Sequence, residues 1–174
     1  IIDPLPEKIT LAFRQLSYLS IVNHNVGIAR RCMSKKHWIY FPEKKFIFYR
    51  IGSFSSFSHY AAPAGHSSLY VEVSSKIPLN GERGQLLINK IEDDLIRLRF
   101  ISRKEEIVAR NTNYIKYGYI VYDRHYASAR NTLLKYLKEN NILPIGRFGS
   151  WRYLTMEESI LDGQAAAERL NDYR

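Results

Sequence analysis

Apolar positions along the chain recur with two periods, and the elements follow from them. Residues 7–16 follow Pro4 and Pro6 and place Ile9, Leu11, Phe13 and Leu16 on a helical segment, which predicts an opening helix. Residues 18–26 are rich in β-formers and predict a strand. Residues 37–41 and 45–51 predict two more strands around a Pro42-Glu43 turn. In the second of these, alternation puts Phe46, Phe48 and Arg50 on one face. Residues 52–67 combine Ser, Gly, Pro and aromatics without a period and read as a loop, and 68–74 alternate as a strand.

Further on, Leu87, Ile91, Leu95 and Leu98 repeat every three or four residues, so a long helix is predicted from an Asn80 cap to about Phe100. Residues 106–110 and 114–122 predict two strands. Asp123 is placed to cap a helix carrying Arg130, Leu133, Leu134 and Leu137, which Asn140-Asn141 ends. A short strand is expected at 142–145. A last helix follows Thr155, where Thr155-Met156-Glu157-Glu158 fits a capping box and Ile160, Leu161, Ala165 and Ala167 supply an apolar side. Strands and helices are mixed, with antiparallel meanders early, so the expected class is α+β. Two regions are expected: a sheet-and-helix, substrate-domain-like region at 1–140, and a strand–loop–helix at 141–174.

Composition narrows the function classes. The 174 residues carry a net charge of +9, which favours anionic partners. The basic residues are scattered, with short clusters at Arg30-Arg31, Lys35-Lys36 and Lys44-Lys45 and no nucleic-acid fingerprint, so no nucleic-acid partner is expected. No apolar run approaches the length of a bilayer span, so no membrane is expected either. Cys32 is the lone cysteine and has no internal disulfide partner, which points to a reducing, cytoplasmic setting. The histidines His24, His37, His59, His66 and His125 lack metal-ligand spacing, and no metal is expected. No nucleophile elbow is present, and no catalytic residue is assigned.

The constellation with most chemical content lies near the end of the chain. Gly146, Arg147 and Gly149 precede a capped helix, with Arg152 and Tyr153 between. Glycines allow a ligand close to the backbone, and a helix start offers unpaired N–H groups and a positive dipole end. This arrangement suits an anionic or electron-rich ring edge, and an ordinary capped helix would carry the same pattern.

The run Gly146-Arg147-Phe148-Gly149-Ser150-Trp151-Arg152-Tyr153-Leu154-Thr155-Met156-Glu157 resembles the flavin-binding C-terminal motif of UDP-galactopyranose mutases, a family grouped with amine oxidases and protoporphyrinogen oxidases. Trp38-Ile39-Tyr40-Phe41-Pro42-Glu43, Phe48-Tyr49-Arg50, Phe54-Ser55-Ser56-Phe57-Ser58 and Tyr117-Gly118-Tyr119 are similar too, and in the same order. Ser56 departs from the asparagine frequent in eukaryotic-type members. The resemblance implies FAD contacts at Gly146, Arg147, Met156, Glu157 and Ser159. It implies substrate contacts at Arg50, Tyr119 and Tyr153, with a nucleotide-sugar diphosphate as substrate. No G-x-G-x-x-G occurs in the chain, although the group holds its pyrophosphate with that fingerprint. The expectation is therefore the C-terminal part of an FAD-dependent mutase-like enzyme, inactive by itself and completed by a preceding dinucleotide-binding segment. An amine oxidase or protoporphyrinogen oxidase-like oxidoreductase is the alternative, and a non-enzymatic interaction domain the third reading. Apolar surface left uncovered in the fragment could pair it as a homodimer.

Overall fold

A computed structural model describes residues 4–31, 35–75 and 81–171. Cys32 and the expected Asn80 cap lie outside the described residues. Strand β1 (Ser17–Ile28) is the spine of the larger of two compact units, residues 19–118. It pairs antiparallel with β4 (Ser67–Ser75), placing Val22 opposite Val73, His24 opposite Val71 and Val26 opposite Leu69. Those pairs share one face, because side chains alternate along each strand. β3 (Arg50–Ser53) joins the far side of β4, and β2 (Trp38–Tyr40) joins β3, both antiparallel. β5 (Ile107–Val121) flanks β1 on the other side and completes the order β2-β3-β4-β1-β5. Ser20 meets Lys116, His24 meets Thr112 and Gly27 meets Ala109, so β5 also runs antiparallel to β1.

Helix α3 (Gly81–Arg97) lays Ile91 and Leu95, both fully buried, on the face made by Val22, Val26, Leu69, Val71 and Val73. This is the apolar stripe expected from its heptad-like spacing. Phe41, Phe46 and Phe48 extend the core: Phe46 stacks on Phe48 at 5.8 Å, and Phe41 meets Phe48 edge-on at 5.1 Å.

The class is α+β, as expected. Several boundaries differ from the sequence reading. Residues 45–49 are not a strand, because the Ile47 amide donates to Asp94 Oδ2 of α3 rather than to a ladder. Residues 52–67 are not an irregular loop: β3 runs to Ser53, then come a helical turn α2 (Phe54–Phe57) and a 3-10 turn at His59–Ala61. The two strands expected at 106–122 are one. The polar Asn111-Thr112-Asn113 run does not break β5, because an edge strand leaves such side chains in solvent while its backbone pairs with β1.

The smaller unit contains residues 1–18 and 119–174. Its α1 (Glu7–Gln15) buries Ile9 and Ala12 against Ala129 and Leu133 of α4 (Tyr126–Glu139), with Leu16 and Tyr136 beside them. Leu11 and Phe13, expected on the inner face of α1, are 49% and 47% exposed; the i, i+3, i+7 stripe is Ile9, Ala12 and Leu16 instead. Asp123 stands two residues before the N-cap position, His125, and its carboxylate holds the turn that opens α4, accepting from the His125 and Tyr126 amides at 2.9 and 3.1 Å. The Ser17 hydroxyl, donating to Asp123 at 2.6 Å, is the main cause holding that carboxyl below the usual range. Residues 142–145 form no ladder: Pro144 has no N–H, and the Ile142 amide returns to Leu137 O. α5 (Gly146–Gly149) and α6 (Met156–Asn171) close the chain.

Two predictions follow from the larger unit. Gly52 lies across from Tyr70, and a Cβ there would sit 2.0 Å from the ring. Gly52→Ala is expected to destabilise the unit by about 1–3 kcal/mol of overpacking, read by urea melts. His24 is fully buried, with Nδ1 2.7 Å from Thr112 Oγ1 and Nε2 3.9 Å from Glu92 Oε1. Burial lowers its pKa from the ordinary 6.5 despite Glu92. The unfolded chain therefore binds the proton more readily, and stability is expected to fall as pH drops below about 6.5. Denaturation midpoints across this range should show the slope, and His24→Gln should flatten it.

Candidate functional site

The loop between α4 and α6 is held by a network centred on Asp162 of α6. Its Oδ2 accepts from the Gly146 amide at 2.7 Å, and its Oδ1 accepts from Arg152 Nη2 at 2.8 Å. Ser150 Oγ donates to Gly146 O, Arg152 Nε donates to Ser150 Oγ, and Arg130 Nε donates to Ser150 O. Tyr126 OH donates to Trp151 O at 2.8 Å, and the Tyr153 amide donates to Tyr122 OH at 2.7 Å. These bonds tie both ends of the 146–153 segment to α4, α6 and the end of β5.

Two positions in the segment take the left-handed backbone region. Gly146, at φ 72°, has no heavy atom within 4 Å of where a Cβ would stand. Trp151, at φ 45°, is not a glycine, and a left-handed side-chain-bearing residue persists only where its surroundings fix it. Here Tyr126 holds its carbonyl, and the next amide, that of Arg152, donates to Arg147 O.

The result is an arginine over two tyrosines. Tyr119 and Tyr153 stack with centroids 6.0 Å apart and planes 12° from parallel. The Arg147 guanidinium carbon lies 5.0 Å from the Tyr119 centroid and 4.5 Å from that of Tyr153, within cation–π range. Three of the sequence-nominated residues, Tyr119, Arg147 and Tyr153, are thus one cluster, with Gly146 at its hinge.

Met156, Glu157 and Ser159 lie in the first turn of α6. The capping box forms as expected: the Thr155 amide donates to Glu158 Oε2, and the Glu158 amide donates to Thr155 Oγ1. These bonds hold the Glu158 carboxyl below its usual range. Ser159 Oγ donates to Thr155 O, so its hydroxyl serves the helix start. Met156 is 87% exposed and Glu157 is exposed. The side of α6 expected to be buried is instead open: Ile160 is 71% and Leu161 54% exposed, and Ala165 and Ala167 are exposed too. The inward stripe is Ser159, Asp162, Gly163 and Ala166, and Asp162 is its contribution to the loop network.

Arg50 belongs to the larger unit and has its own setting. Its Nη2 lies 2.6 Å from Glu72 Oε2, its Nε donates to the same oxygen at 2.9 Å, and Tyr49 OH donates there at 2.5 Å. The guanidinium also faces the rings of Tyr40, Tyr49 and Tyr70 at 5.7 to 6.0 Å. Glu72 is 9% exposed, so this is a largely desolvated pair set among aromatic rings. Asp162, Ser150 and Tyr122 were not nominated from sequence. Their roles depend on partners 4 to 31 residues away, and no local spacing announces them.

The chain matches the crystal structure of a reduced UDP-galactopyranose mutase with a TM-score of 0.74 at 27% identity, over 82% of this chain and 31% of that one. Its fold is that of the matching part of the mutase. A putative protoporphyrinogen oxidase from Exiguobacterium sp. 255-15 shares the fold, with a TM-score of 0.69 at 13% identity over 92% of this chain and 36% of that one. The chain therefore spans about a third of the length of the mutase and of the oxidase. No protein-family model matches it. Among the described residues, no group of three or more His, Cys, Asp and Glu could hold a metal, and no helix is long and apolar enough to cross a membrane.

Asp162→Ala should release the Gly146 amide and Arg152 together. The Asp162–Arg152 contact is half-exposed and contributes little, so the expected loss is that of one charge-assisted bond to the amide, about 1.5–3 kcal/mol. Amide exchange at residues 146–153 should rise in the variant while exchange in β1 and β4 stays unchanged.

Proposed function

We propose that this chain is the C-terminal portion of an FAD-dependent enzyme of the UDP-galactopyranose mutase type. The observation that carries this reading is the Arg147–Tyr119–Tyr153 cluster beside the open backbone of Gly146. The residues fit a flavin. Gly146 lets a flat ring approach the main chain, Arg147 brings a fixed positive charge, and the start of α6 adds its amides and dipole. Met156, Glu157 and Ser159 are the α6 positions nominated to lie along the cofactor.

Bound reduced flavin would supply the nucleophile for a sugar ring contraction without net redox change. The work of this chain is binding and orientation. For a nucleotide-sugar diphosphate, Tyr119 and Tyr153 are the nominated contacts of the smaller unit and Arg50 that of the larger, and the Asp162 network would keep Arg147 and Tyr153 in place. A preceding dinucleotide-binding segment would hold the FAD pyrophosphate, which no glycine fingerprint of this chain can do. It would also cover the apolar side of α6, where Met156, Ile160, Leu161 and Leu170 are 54–87% exposed. A homodimer of the isolated chain would cover the same surface.

One observation favours a second reading, an oxidoreductase of the amine oxidase or protoporphyrinogen oxidase type. The Glu72 carboxylate already neutralises Arg50, so the charge that a diphosphate would meet is smaller. UDP titration of the longer, flavin-loaded protein separates the two. In the mutase reading UDP binds, and Arg50→Ala weakens it by about 2–5 kcal/mol with flavin content unchanged. Arg147→Ala lowers flavin occupancy instead. Absence of UDP binding to the unaltered protein would reject the mutase reading and leave the oxidoreductase.

A further inference from the structure

A cleft of about 950 Å³ opens in the larger unit, lined by Arg31, Lys35, Ser55, Ser56, His59, Tyr60 and the 61–66 segment. It shares no residue with the cluster proposed to meet flavin and substrate. Among the described residues, its lining holds two basic side chains, two histidines and three hydroxyls, and no carboxylate. Among the described residues, Arg31 and Lys35 form no ion pair and no side-chain hydrogen bond. The neighbouring Arg30 differs: it bonds the Arg99 and Phe100 carbonyls and pairs with Glu106 at 3.2 Å. The adjacent arginine thus serves the fold, and Arg31 faces the cleft.

The wall is pre-formed by serines. Ser53 Oγ accepts from the Ser56 amide, and Ser58 Oγ accepts from the Tyr60 amide. Ser55 Oγ accepts from the Ser68 amide at 2.7 Å, Ser68 Oγ donates to Ala61 O, and Ser67 Oγ donates to Arg30 O. The His66 amide returns to Pro63 O, and its Nδ1 lies 3.0 Å from Ala64 O. That bond makes Nδ1 the donor and leaves Nε2 for a ligand. His59 has a ring contact with Tyr60 and no hydrogen bond among the described residues. A preorganised cationic wall with no internal anion desolvates little on binding, and its natural complement is a compact dianion.

We propose that this cleft binds the phosphate group of a phosphate ester, with Arg31 and Lys35 supplying charge, His59 and His66 hydrogen bonds, and the alanine and proline floor receiving the attached body. The volume is at the upper end of small-ligand sites, on the order of 300–1,000 Å³, so the phosphate alone does not fill it. The ester could be a soluble metabolite or a lipid headgroup, and the chemistry recognised is the same.

Titration of the chain with inorganic phosphate, against sodium chloride at equal ionic strength, tests the site. NMR resonances of the His59 and His66 rings and of the 61–66 amides should shift to saturation. The Arg31→Ala/Lys35→Ala double variant should weaken that binding at least about tenfold, equal to 1.4 kcal/mol. Lys135→Ala/Lys138→Ala removes the same charge from exposed α4 positions in the other unit and should leave it unchanged. Shifts that never saturate, or equal weakening by both double variants, would overturn the proposal. Flotation with phosphatidylcholine vesicles, with and without phosphatidic acid, identifies the source. Binding that requires phosphatidic acid and is lost with Arg31 and Lys35 assigns a lipid headgroup, and saturable phosphate binding without flotation assigns a soluble ester. Because the readout is local to His59 and His66, failure here leaves the flavin reading untouched, and loss of UDP binding leaves this site untouched.

Discussion

The carboxylate of Asp162 is the constraint on which the 146–153 segment depends. One oxygen holds the Gly146 amide and the other holds Arg152, so a single side chain on α6 sets both ends of a turn containing a left-handed glycine. Ser150 then links the same two points through its hydroxyl, and Arg130 fixes its carbonyl. Arg147 projects from this frame over Tyr119 and Tyr153.

The larger unit is organised by a different interaction. β1 and β4 exchange a continuous ladder, and α3 seals one face with Ile91 and Leu95. A polar cluster sits within that seal: His24 on β1, Glu92 on α3 and Arg110 on β5, where Arg110 Nε donates to Glu92 at 2.7 Å. A buried carboxylate requires a partner. Arg110 supplies it from the edge strand, and burial lowers the pKa of His24 by more than the attraction of Glu92 raises it. The cluster couples two strands and the helix that covers them, so it fixes their register as much as their stability.

Much of this was legible because it is local. The α3 stripe and the Thr155–Glu158 capping box are written in three- and four-residue spacings, and each is present as read. The misreadings share one cause. Residues 45–49 have strand composition, yet the Ile47 amide bonds to a side chain on a helix more than forty residues later. Residues 142–145 have strand composition but pair with no strand among the described residues. Ile160 and Leu161 have core composition, yet the inward side of α6 is given to Asp162, because the loop needs an acceptor there.

The class, the four longer helices, the Thr155–Glu158 capping box and the glycine–arginine–tyrosine run that marks the candidate site are readable from the sequence alone, because propensity, period and capping act within one or two turns of chain. Only the tertiary structure decided that Tyr119 stacks on Tyr153, that Asp162 governs the loop between them, that Glu72 holds Arg50 and that Arg31 and Lys35 face one cleft. Each of those depends on contacts between groups at least 10 residues apart, and local preferences carry no information about which distant partner will satisfy a charge or a hydrogen bond.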